Sequence, residues 1–91
     1  MKNPIFSWSE EKNRILKASR NISFEDVITA IQKGDLLEII PNQSKNHEEQ
    51  NCFVVGINDY AYIVPYVEDE KGIFLKTIYP SRKYKKLLLK K

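Results

Sequence analysis

Ninety-one residues, 42% hydrophobic and 30% charged, make one globular domain, too short for a cofactor fold beside a substrate fold. One cysteine and one histidine exclude an internal disulfide and a typical zinc site, and three scattered glycines form no phosphate-cradling loop. All twelve acidic residues and eight of the basic ones precede position 76, a net −4, whereas seven basic residues and no acid follow from there, a net +7.

No apolar run approaches the ~20 residues of a membrane-spanning helix, and the N-terminus has no signal-peptide core. A cytoplasmic protein without membrane contact, metal or cofactor is the expectation. Phe6-Ser7-Trp8 reads as an amphipathic lead-in. Ser9-Glu10-Glu11-Lys12 opens a helix: Ser9 caps free N–H groups, and the glutamates suit the positive end of the dipole. This helix runs to about Ser19 with Ile15 and Leu16 inward, and Asn21 is a left-handed stop. Ser23-Phe24-Glu25-Asp26 opens a second helix through a capping box. Phe24, Val27, Ile28 and Ile31 recur at i, i+3, i+4 and i+7, giving one apolar face, and Gly34 ends it.

Strands follow. Asp35 to Ile40 is the first, before a polar loop from Gln43 to Gln50. Cys52 to Ile57 places Phe53, Val55 and Ile57 on one face, and Asn58-Asp59 is a tight hairpin signal. Tyr60 to Val67 is a third strand in which Pro65 marks an edge or a bulge. After a turn at Glu68 to Gly72, Ile73 to Tyr79 is the fourth, ended by Pro80. Ser81 caps a short helix in the basic tail 80–91, with Tyr84, Leu87 and Leu88 on one side and Lys83, Lys86 and Lys90 on the other. The expected architecture is a single α+β domain over residues 1–91. Two N-terminal helices pack on a four-stranded antiparallel sheet, and a short basic C-terminal helix follows.

Three stretches together resemble the BrnT-type toxin family. Phe6-Ser7-Trp8-Ser9-Glu10-Glu11-Lys12-Asn13 is similar to its "F-x-W-D-x-x-K-N" opening. Ile22-Ser23-Phe24-Glu25-Asp26-Val27 is similar to "G-[IV]-S-F-E-E-A", and Ile78-Tyr79-Pro80-Ser81-Arg82-Lys83 to "I-S-A-R-K-A". The resemblance covers nearly the whole chain. It implies a RelE-like fold, metal-independent RNA cleavage that inhibits growth, and a hetero-oligomer with a cognate antitoxin of ribbon-helix-helix type.

The sequence departs from the family pattern at two places. The family commonly has Lys-His before the glycine that precedes "S-F-E-E"; here Ser19 and Arg20 precede Asn21. The family's arginine before the second strand is replaced by Asn51 or Cys52. Glu68 looks like the glutamate of its "Y-T-E-R", and Arg82 like its final arginine. The alternative is a catalytically degenerate RNA-binding or antitoxin-binding regulatory module. A structural module whose basic tail meets an acidic partner is the third reading.

Metal-free RNA cleavage uses the 2′-OH as internal nucleophile. It needs a base for that proton, cations for the phosphate charge, and help for the leaving 5′-oxygen. Arg82 is the phosphate-binding candidate, because a guanidinium donates two parallel hydrogen bonds. Glu68 is the candidate base on the resemblance. Arg20 and Lys17, three apart on the first helix, are further cations, and His47 is a loop acid–base candidate. Lys83, Tyr84 and Lys86 are RNA contacts in the tail, with salt-sensitive phosphate pairing. Tyr62 and Tyr66 are either base-stacking or core residues.

Overall fold

The computed structural model describes residues 5–41 and 51–88. The chain runs β1 (Phe6–Ser7), α1 (Glu10–Arg20), α2 (Phe24–Lys33), β2 (Leu36–Pro41), β3 (Asn51–Ile57), β4 (Tyr60–Asp69), β5 (Gly72–Leu75), β6 (Tyr79–Pro80) and α3 (Arg82–Leu88).

Local chemistry sets the helix ends. Ser9 Oγ accepts from the Lys12 N–H, and Asn21 stops α1 at φ 55°. Ser23 and Asp26 form a reciprocal capping box at the start of α2. Gly34 ends α2 at φ 92°, where its N–H reaches the Ala30 and Ile31 carbonyls. The apolar stripe of α2 is the expected one: Phe24 and Val27 are fully buried, and Ile28 and Ile31 pack against the core. In α1 the inward stripe is Asn13 and Leu16, while Ile15, expected inward, is half exposed. Ile15 sits about 100° round the helix from Leu16, which a short two-element contact does not reach.

Both helices pack on one sheet face, whose inward residues include Phe53, Val55, Val64, Tyr66, Ile73 and Leu75. The sheet order is β1-β5-β4-β3-β2, with β6 also beside β4. Asn58 and Asp59 both take positive φ, 53° and 64°, in the hairpin joining β3 to β4.

The expected four-stranded antiparallel sheet is corrected to a mixed sheet of six strands. Two causes account for this. The lead-in Phe6-Ser7 pairs parallel with Ile73-Phe74, so it is a strand. The expected fourth strand is two, because Lys76 to Ile78 leave the ladder and Ile78 turns fully into the core. Pro65 makes no bulge: its register with Cys52 is unbroken. Its carbonyl accepts from Lys76 N–H at 2.8 Å, so its missing donor faces the gap between β5 and β6. A residue's N–H and carbonyl point to the same neighbouring strand, and a proline is tolerated where that neighbour is interrupted.

A candidate nucleic-acid interface

Within the basic tail, Arg82–Leu88 form a helix seated on the sheet. Ser81 N–H donates to the Ala61 carbonyl at 2.9 Å, and Ser81 Oγ accepts from the Tyr84 N–H at 3.2 Å. The first contact docks the tail on β4 and the second caps α3. Arg82, Lys83, Lys85 and Lys86 are all exposed on this seven-residue helix. Lys85 Nζ lies 5.5 Å from the Tyr60 ring centroid, and Lys83 Nζ 5.4 Å from that of Tyr84. Tyr60 and Tyr62 are 5.8 Å apart and tilted. Cations over aromatic faces form a surface that attracts phosphate and stacks bases.

Lys85 is a member that sequence reasoning missed. Its signal was one helical turn of spacing from Ser81, which the tail docking orients toward Tyr60. Leu87, on the apolar side of the tail helix and read as a core or partner contact, is 61% exposed. Lys90 and the side chain of Leu88 lie outside the described residues.

Arg20 reaches the same region from the end of α1. Its Nη1 donates to the Ile78 carbonyl at 2.8 Å. That carbonyl was freed by the break in the ladder, so the arginine satisfies it with a charge-assisted bond. One end of the guanidinium is thereby fixed beside the chain that leads into Arg82.

Other predicted residues fall elsewhere. Glu68 pairs with Ile73 near the β4–β5 turn, six residues along β4 from Tyr62, which faces β6. Six strand residues span roughly 20 Å, so Glu68 does not meet the Arg82 region. Lys17 is exposed, and its charge, together with stronger causes, acts on Glu25. His47 lies outside the described residues. Tyr66 is core: it is buried and stacks on Phe53 at 4.0 Å and 9°. Burial pushes its hydroxyl up, against a lowering hydrogen bond to Asn51. Cys52 is free and buried, and burial pushes its thiol up, which disfavours a nucleophilic thiolate. Among the described residues, no group of three His, Cys, Asp or Glu is placed to hold a metal ion, and no helix is long and apolar enough to cross a membrane.

Residues of the first two motifs that carried the resemblance make structural contacts. Trp8 stacks on Phe24, with ring centroids 5.6 Å apart. Asn13, only 1% exposed, accepts from the Phe24 N–H at 2.8 Å and donates to Glu25 Oε1 at 2.9 Å. These contacts join the opening motif to the second one across α1 and α2.

In comparison with known proteins, residues 12–80 match the model of a family described as "Domain of unknown function (DUF4258)". No curated protein and no solved structure matches the chain.

Proposed function

The chain belongs to the DUF4258 family, and from that premise we propose that it is a BrnT-like toxin that acts on RNA. The observation that carries this reading is the pair of guanidinium groups at one short segment. Arg20 is tied to Ile78, and Arg82 opens the helix four residues later. At most roughly 14 Å of extended chain separates the two anchor points. Lys83, Lys85 and Lys86 add cations on α3, and Tyr60 and Tyr84 add aromatic faces.

In this reading the phosphate backbone lies along α3. Arg82 binds non-bridging phosphate oxygens in a bidentate contact, and Arg20 contributes charge from α1. The attacking 2′-oxygen forms its bond to phosphorus while the bond to the 5′-oxygen breaks. Positioning and charge stabilisation then supply most of the acceleration. Glu68 stays outside that step because of its distance, and His47 is the proton-transfer candidate. The partner is a small antitoxin of ribbon-helix-helix type, a reading that rests on the resemblance.

A second reading, a non-catalytic RNA-binding module, is favoured by one observation: the carboxylate matching the family's glutamate is remote from the cations. Induced expression in a bacterial host separates the two, with Arg82→Ala beside wild type and growth and total RNA integrity followed together. Growth arrest with RNA decay, both lost in Arg82→Ala, is the expected result. Intact RNA with soluble wild-type protein overturns the cleavage reading, and retained RNA binding in that protein establishes the second.

A further inference from the structure

The sheet has a second face, turned away from α1 and α2. The register assigns Phe74, Val67, Pro65, Cys52, Val54, Ile63, Tyr79 and Ala61 to it, since they alternate along their strands with helix-side residues and pair across strands with one another. One end is closed where Ser81 bonds to Ala61 and α3 packs on β4; Val54 and Ala61 are fully buried there. The rest is open. Its exposed large hydrophobic side chains, among the described residues, are two aromatics, Phe74 at 38% and Tyr79 at 39%. They stand opposite Val67 and Ile63, four residues apart along β4, which is roughly 13 Å.

The charge around these rings is one-sided. Exposed Lys76 comes two residues after Phe74, and exposed Arg82 three after Tyr79, within a stretch that has no acid. Among the described residues, two carboxylates share the face. Glu38 lies on β2, three strand spacings or roughly 14 Å from Tyr79. Asp69 is folded into the β4–β5 turn, where it accepts from the Lys71 and Gly72 N–H groups. Aromatic rings on a rigid sheet with a cationic border are complementary to single-stranded nucleic acid: bases stack on the rings and phosphates meet the cations.

We propose that the open sheet face is a base-stacking platform for single-stranded RNA, with Phe74 and Tyr79 as its two stacking positions and Lys76 and Arg82 along its phosphate path. This rests on the reading of the chain as an RNA-acting protein and adds to it where the bases go. The platform holds RNA that the α3 cations reach, so the face is a binding surface and its aromatics take no part in bond-making.

The test is binding of a fluorescein-labelled twelve-nucleotide oligouridylate to the full chain over a salt series. Phe74→Leu and Tyr79→Leu keep an apolar residue on the sheet and remove the stacking plane. Each lowers affinity about fivefold or more, and the slope of log affinity against log salt is unchanged because no phosphate contact is lost. Arg82→Ala lowers that slope by about one. Phe74→Trp keeps wild-type affinity, and its emission is quenched by the RNA; Trp8 is the one native tryptophan and supplies the baseline. Wild-type binding that weakens in Arg82→Ala but not in either leucine variant overturns the platform, leaves the RNA reading standing, and assigns the face to a protein partner. Absence of wild-type binding overturns both.

Discussion

The Asn13 carboxamide donates to the Glu25 carboxylate and accepts from the Phe24 N–H, so one buried side chain fixes the angle between α1 and α2. The Phe24 N–H is an orphan donor of a helix first turn, and the capping box beside it serves other groups. Replacing Asn13 by alanine leaves this donor buried and unpaired. The expected loss is about 2 kcal/mol, measured by urea unfolding. A loss below the noise of that measurement would show that water or another group takes the place of Asn13.

The same contact has a pH signature. The Asn13 hydrogen bond is the largest of the effects that hold Glu25 below its ordinary value of 4.5, with its own backbone and the Lys17 charge also lowering it. A carboxyl whose folded value is depressed stabilises the fold above its unfolded value and loses that contribution as pH falls through the folded one. Wild-type stability therefore drops on acidification below about pH 4.5, modestly, because Glu25 is exposed and screened. In Asn13→Ala that part of the pH dependence flattens. Unfolding curves between pH 3 and pH 6 check this, and parallel profiles for the two proteins would count against it.

Gly72 is the residue that lets β1 join the sheet. Its φ is 144°, and a Cβ there would strike the Ile5 carbonyl, the group that accepts from the Ile73 N–H at 2.8 Å. Gly72→Ala is expected to cost roughly 1–3 kcal/mol through strain and clash. Amide exchange at Ile73 accelerates more than at Val55 if β1 has been released, and equal acceleration at both sites would point to global loss instead.

Glu68 tests the resemblance against the geometry. At roughly 20 Å of strand from the β6 end, it is too far to take a proton beside Arg82. Glu68→Gln is expected to leave RNA decay and growth arrest within twofold of wild type, where Arg82→Ala abolishes both. A Glu68→Gln variant as inactive as Arg82→Ala would place the glutamate in the site and refute the distance argument.

Elements with local signals were legible in the sequence. Ser23 and Asp26 three positions apart, an apolar stripe and a closing glycine define α2, and the chain folds there as its pattern directs. Asn58-Asp59 did the same for the hairpin, and Ser81 for α3. Strand content misled where pairing is non-local. Nothing within Phe6-Ser7 signals a strand, since its partner is β5, more than sixty residues away. The interruption at Lys76 to Ile78 had one mark in the sequence, Pro65 opposite it on β4, but its form was not legible, because burial of Ile78 and its bond from Arg20 come from the far side of the domain.

The candidate site divides in the same way. Composition and period specify the residue types available: a cationic tail without acids, an arginine at its head, and tyrosines on alternate strand positions. Those are properties of composition and period, which each residue carries alone. Which of them meet is set by the fold. It brought Arg20 to Ile78 and Lys85 to Tyr60, sent Tyr66 into the core, and left Glu68 at the other end of β4. Proximity between residues dozens of positions apart is set by strand register and helix docking, and both depend on the summed burial of the whole core.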